Sequence, residues 1–225
     1  MTLKNLIKNK QRTRKHFTWN GVEVFVKDEI ENPEISIHQV LEVIAKKVSK
    51  SFFQNIDIIY IGDFEILKNR EIQAMYENSC IFVTNKQSDI DDMCEDIVHE
   101  VAHSLEEIYK EEIYSDGKLE EEFIEKRKQL FSVLKSENVP ANLHLFLKTS
   151  YNQDFDDFLY KEVGYPLLNM LGANIYYSPY AATSLREYFA NGFEALFYHG
   201  EYDFINKVCP NLFSKLNNIM EITND

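Results

Sequence analysis

The sequence predicts an α+β protein, with a small β-containing N-terminal lobe and a helical C-terminal lobe around a central helix. Residues 16–89 mix strand-like segments with one helical pattern. Beyond residue 89 every periodic segment is helical, and no internal repeat is visible. The chain has 225 residues, 44% of them apolar, with 16 Phe and 13 Tyr; that suffices for one large domain or two lobes sharing a cleft.

HFTWNGVEVFVK (16–27) alternates apolar and polar residues about Asn20-Gly21, whose positive φ preference suits a hairpin turn. In 32–53, Ser36 is a plausible N-cap, and Ile37, Val40, Leu41, Ile44 and Val48 recur at helical spacing. NIDIIYIGDF (55–64) reads as a buried strand, and 77–89 as another, short enough to be a sheet edge. A helix over 89–113 follows, with Ile97, Val101, Leu105 and Ile108 as its stripe. Gly117 breaks it. A second amphipathic helix covers 119–138, its run of acids a solvated face, and Pro140 ends it. Residues 154–174 read as helical with a break near Gly164 and Pro166. Two helices close the chain, 184–200 and 203–221, the latter interrupted at Pro210.

Net charge is −13 and very uneven. Residues 1–16 hold six Lys or Arg and no acid, so they read as a basic N-terminal arm. The acidic body argues against nucleic-acid binding, while the arm could reach an acidic partner. No apolar run is long enough to span a membrane, and the N-terminus lacks a secretory pattern. Cys80, Cys94 and Cys209 lack metal-site spacing and read as reduced thiols, so the expected location is cytoplasmic.

The chemistry concentrates in HEVAH, His99 to His103. On a helix, positions i and i+4 share a face, so His99 and His103 can hold one ion between two imidazoles, a donor type that suits zinc. Glu100 points about 100° away; it cannot ligate the same ion but can reach a water beside it and act as general base. A third ligand is needed. The long metzincin pattern requires Gly at 106 and His at 109; this chain has Glu106 and Tyr109, which excludes that class. Glu162, Glu187 and Glu194 remain as candidates. Glu187 lies among Leu185, Tyr188, Phe189 and Phe193, where a charge is poorly placed unless paired or ligating.

HEVAHSLEE together with YAATSLREYFANGFEALF resembles the catalytic domain of the anthrax lethal factor family, which includes the secreted Pro-Pro endopeptidases. The similarity covers roughly 89–137 and 178–221, through the pattern Y-x6-E-[FY]-F-A-x-x-F at Tyr180, Glu187, Tyr188, Phe189, Ala190 and Phe193. It implies a zincin-like, gluzincin-type metallopeptidase fold with one Zn2+ per chain held by His99, His103 and Glu187. Glu100 would be the general base, Tyr180 the oxyanion donor, and Glu106 the acid three residues past the second histidine. The chain departs from the family in a longer link over 138–179 and in Asn191, where an acid is more usual; an Asn there can still orient a ligating imidazole.

These readings give a basic arm (1–16) and a single catalytic domain (17–225), with an N-lobe to about 110, a C-lobe from about 111 and an insertion at 138–179. The expected function is zinc-dependent hydrolysis of a protein or peptide substrate. CIFVTN, through Ile81, Phe82 and Val83, is expected to pair with extended substrate as an edge strand. A catalytically silent interaction domain and a hydrolase of non-peptide bonds are the alternatives.

Overall fold

The computed structural model describes residues 15–224. The basic arm therefore lies outside the described residues, apart from Lys15 and His16, which open the first strand. The chain is α+β, mostly helical, with one five-stranded mixed sheet. It divides into two compact units, one running to Ile108 and one from Tyr109 onward.

In the first unit the strands are β1 (Lys15–Trp19), β2 (Val22–Val26), β3 (Ile58–Gly62), β4 (Ala74–Glu77) and β5 (Cys80–Thr84). Their spatial order is β1-β2-β3-β5-β4. The outer pairs, β1/β2 and β4/β5, are antiparallel; β2/β3 and β3/β5 are parallel. Helix α1 (Ile37–Lys47) makes the crossover from β2 to β3, and α2 (Glu65–Arg70) leads from β3 toward β4. The Asn20-Gly21 hairpin forms as expected, with φ of 51° and 93°.

One expectation needs correction. The 77–89 segment is not a single edge strand but the end of a second hairpin. Asn78 and Ser79 form its turn at φ 50° and 59°, and β5 is sandwiched between β3 and β4. The edge strand on this side of the sheet is β4.

Helix α3 (Ile90–Ile108) carries HEVAH and packs on α1, β4 and β5. Asp89 caps its start by accepting from the Asp92 N–H at 2.9 Å. Val24, Ile59, Ile61, Ile81 and Val83 from the sheet and Val40, Ile44, Ile97, Val101 and Leu105 from the helices are fully enclosed. Ile108, predicted to close the helical stripe, is 43% exposed because α3 ends there instead of continuing to 113. On the opposite sheet face, Phe25, Tyr60 and Phe82 stand in register and half-buried, with Tyr60 and Phe82 stacked at 5.2 Å.

The second unit is helical: α4 (Lys110–Tyr114), α5 (Lys118–Ser136), α6 (Leu143–Phe146), α7 (Gln153–Asp157), α8 (Tyr165–Gly172), α9 (Leu185–Phe193), α10 (Tyr202–Val208) and α11 (Pro210–Asn224). Wider π turns extend α7 over Phe158–Val163 and α9 over Glu194–Tyr198. Helix α5 is the axis, packing on α4, α6, α8, α9 and α11. Gly192 permits the closest approach: a Cβ there would lie 2.3 Å from Leu212 Cδ2.

The acidic face predicted for α5 is only partly solvated. Glu122 accepts from Tyr188 Oη at 2.8 Å and from the N–H groups of Asn211 and Leu212, capping α11. Lys126 donates to the carbonyls of Ile175 and Val208 at 2.7 and 2.6 Å. Arg127, 1% exposed, donates to four carbonyls, those of Ala182, Thr183, Leu145 and Lys148. The Arg127 guanidinium also lies 4.7 and 4.2 Å from the Phe123 and Phe155 ring centres. The 138–179 segment thus supplies core, since Phe146, Phe155 and Leu159 are fully buried, while Tyr151 and Tyr160 face outward.

Candidate functional site

On α3, the four-residue spacing puts the His99 and His103 rings side by side, 5.0 Å between centroids and near-perpendicular. His103 is buried, and its Nδ1 lies 3.2 Å from Glu106 Oε2. A carboxylate only accepts, so this bond needs the proton on Nδ1 and puts the ring's lone pair on Nε2. Glu106, the acid that the resemblance singles out, thus lies against the His103 ring.

Glu100 is 8% exposed. Its Oε2 accepts the Tyr76 backbone N–H at 2.6 Å, and Tyr76 lies on the edge strand β4. The Tyr76 side chain is held to the same helix: its hydroxyl accepts from Asn55 Nδ2 at 2.8 Å and meets the Glu107 carboxylate. Burial first, and the Glu107 bond second, push this phenol up to about 12.

One turn before His99, Asp96 receives a 2.9 Å bond from Gln87 Nε2. Burial raises its carboxyl to about 6; the Gln87 bond opposes that and the Glu100 charge adds to it.

In the second unit, Tyr180 sits in a 3₁₀ turn, Pro179–Ala182, just before the helix that carries Glu187. Ser184 caps α9 by accepting the Glu187 N–H at 3.2 Å, one half of a capping box with Glu187 at its third position. The turn is tied down on three sides. Thr183 Oγ1 bonds the Tyr180 carbonyl at 2.8 Å, Ser178 Oγ donates to Asn191 Oδ1 at 2.7 Å, and Arg127 holds the carbonyls of Ala182 and Thr183. Asn191, expected to orient an imidazole, thus uses its oxygen to fasten the segment bearing Tyr180 onto α9. The insertion joins this assembly through Leu185 N–H to Thr149 O at 2.8 Å. The Tyr151 phenol is pushed up to about 12, by burial first and then by the Asp156 bond, with a smaller contribution from the Glu187 charge.

Of the other glutamates considered as ligands, Glu162 is exposed and Glu194 lies 3.4 Å from His199 Nε2. Ile81 and Val83 are fully buried, and Phe82 is stacked on Tyr60, so the strand expected to receive substrate has its backbone paired on both sides. The groups missed by sequence reasoning are Tyr76, Asp96 and Arg127. Tyr76 acts here through its backbone and so leaves no residue signature. Arg127 was legible only as part of the α5 stripe. The three cysteines are free thiols, and among the described residues no helix is long and apolar enough to cross a membrane.

No protein-family model matches the chain, and neither a curated protein nor a solved structure matches it.

Proposed function

We propose that the protein is a zinc-dependent endopeptidase of the lethal factor type, with a zincin-like fold. The observation that carries this reading is Glu100. A buried, ionisable side chain placed between two same-face histidines, and held by a single backbone donor, suits a base far better than a structural zinc staple, which needs none. The donor set fits the metal: His99, His103 and Glu187 offer two imidazole nitrogens and one carboxylate oxygen, with His103 already oriented by Glu106.

Zinc held by these three residues would supply Lewis acidity and a nucleophilic water that ionises near neutrality. Glu100 would accept the proton given up by the attacking water and pass it to the leaving amine. Its Oε1 is the oxygen for this work, since Oε2 is bonded to Tyr76. The Tyr180 hydroxyl donates to the oxyanion as it forms, and the pinned turn beneath it reduces the reorganisation that this requires. An extended peptide adds to the free edge of β4 by main-chain hydrogen bonds.

Metal analysis and cleavage profiling of wild-type and Glu100→Gln protein on a proteome-derived peptide library test the reading. Both proteins should carry one zinc per chain, and the variant should cleave at least about 10²-fold more slowly. Equal cleavage by both, or a wild-type protein without zinc, would overturn it.

A further inference from the structure

We propose that the backbone N–H of Tyr76 is a positioning donor for Glu100, and that an extended substrate therefore anchors on β4 at Ala74 instead of at that N–H. The inference rests on the peptidase reading above.

The argument starts from strand register. Thr84 N–H donates to Gln73 O at 2.8 Å, which makes Gln73/Thr84 a hydrogen-bonded pair. Antiparallel pairs alternate, and β4 keeps one register along its length. Met75 and Glu77 consequently direct their backbone groups toward β5, while Ala74 and Tyr76 direct theirs to the open edge. An incoming strand would ordinarily take the donors of both outward residues. At Tyr76 that donor is already committed, 2.6 Å from Glu100 Oε2. The outward groups left for a substrate are the Ala74 N–H, the Ala74 carbonyl and the Tyr76 carbonyl.

The commitment is reinforced from the side chain. Asn55 Nδ2 bonds both the Tyr76 hydroxyl, at 2.8 Å, and the carbonyl of Ser104 on α3, at 3.4 Å. The Tyr76 phenol faces Glu107, two turns beyond Glu100 on the same helix. Strand and helix are clamped at two points, and one of them is the carboxylate assigned as base. A carboxylate fixed through one oxygen presents the other in a defined direction. That is the requirement for a base which must meet a water in one place. A donor that merely satisfied the sheet edge would contribute to stability and leave turnover alone.

A backbone amide-to-ester scan separates these roles. The α-hydroxy acid analogues of alanine, methionine and tyrosine are introduced by nonsense suppression at 74, 75 and 76, each deleting a single N–H. At 76, kcat should fall about 10-fold or more with KM and zinc content unchanged, the scale expected for a hydrogen bond to a charged group. At 74, KM should rise with kcat retained. At 75, whose N–H faces β5, only thermal stability should drop. In a Glu100→Gln background the ester at 76 should produce no further loss. Provided that wild type cleaves and Glu100→Gln does not, an unchanged kcat at 76, or the same losses at 75 and 76, overturns this inference alone. A wild type that cleaves nothing takes the peptidase reading down with it. Amide exchange gives a readout independent of turnover: Glu100→Ala should speed exchange at Tyr76 about 10-fold or more without altering Met75, and no change at Tyr76 would refute the clamp.

Discussion

Arg127 offers the sharpest test of how the second unit is held together. Its guanidinium donates to four carbonyls at 2.9, 3.1, 2.6 and 2.7 Å, and among the described residues no carboxylate pairs with it. Burial pulls its pKa down to about 10, roughly 3 kcal/mol of disfavoured charge at ~1.4 kcal/mol per unit. Arg127→Lys keeps that buried charge, yet an ammonium has three N–H bonds and no planar fork. At least one carbonyl is stranded, and two once geometry is considered, at ~1–3 kcal/mol each, so the variant should lose about 2–6 kcal/mol. Arg127→Met strands all four carbonyls but removes the buried charge and keeps an unbranched stem between Phe123 and Phe155. At ~1–3 kcal/mol per carbonyl, less the roughly 3 kcal/mol recovered with the charge, the net loss is about 1–9 kcal/mol. The two substitutions should therefore cost comparable amounts, although one conserves the charge and the other removes it. Urea midpoints at constant slope measure the loss, and about 2–6 kcal/mol corresponds to about 4–24 °C in Tm. Amide exchange at Leu185, bonded to Thr149 O beside the Arg127 carbonyls, should accelerate in both variants. A lysine variant within about 1 kcal/mol of wild type would refute the account of a buried charge held by carbonyls.

Two further outcomes are expected. Tyr180→Phe should retain zinc while kcat and kcat/KM fall together by about 10²–10³-fold, because the hydroxyl is needed only as the oxyanion forms; full activity would remove Tyr180 from the reaction. Asp96→Asn should stabilise the metal-free protein at pH 7 by at most about 3 kcal/mol, since the folded state disfavours ionisation of a carboxyl raised from 3.8 to about 6. Between those values the folded protein binds more protons than the unfolded chain, so wild-type stability falls as pH rises; the Tm gap between variant and wild type should open from about pH 4 to pH 6, and a gap independent of pH would contradict this.

Elements whose information is local were legible in the sequence. The HEVAH helix, the Asn20-Gly21 hairpin, the Ser184 cap and the order of strands before helices all follow from spacing, turn chemistry and capping residues next to one another in the chain. The structure departs from expectation where the information is distant. Strand β4 escaped because its turn, Asn78-Ser79, lacks glycine although both residues adopt positive φ. With it went the identity of the sheet edge, and Ile81, Phe82 and Val83 were read as an edge when they belong to an inner strand. Helix α5 shows the same limit. Leu119, Phe123, Leu130 and Leu134 mark its buried stripe, and Glu122, Lys126 and Arg127 fall on that stripe by the same periodicity. Glu122 was read with the acids of a solvated face, yet its partners are the Tyr188 hydroxyl and two backbone N–H groups 89 and 90 positions away, and the carbonyls that hold Lys126 and Arg127 lie 18 to 82 positions away; such distant groups leave no mark in the local pattern.

The same physics explains why the candidate catalytic groups are poorly served by motif reading alone. A motif specifies side chains, but the aim of Glu100 and of Tyr180 is set by backbone and by polar residues outside the motif. Glu100 takes its direction from a strand N–H, and the turn of Tyr180 takes its shape from Ser178, Thr183, Asn191 and Arg127. Charge-assisted or buried bonds of this kind fix direction at little cost in mobility, because each joins rigid elements instead of two flexible side chains. Asn191 illustrates the consequence. An acid at that position would repel the developing negative charge carried by nearby carboxylates and would accept no less well from Ser178, so acceptor capacity alone does not select asparagine. Its neutrality does suit a second unit already rich in acids around α9, where Glu187 and Asp156 lie within reach of the same phenol, Tyr151. Asn191 fastens the turn without adding a further negative charge beside the carboxylate proposed to ligate zinc.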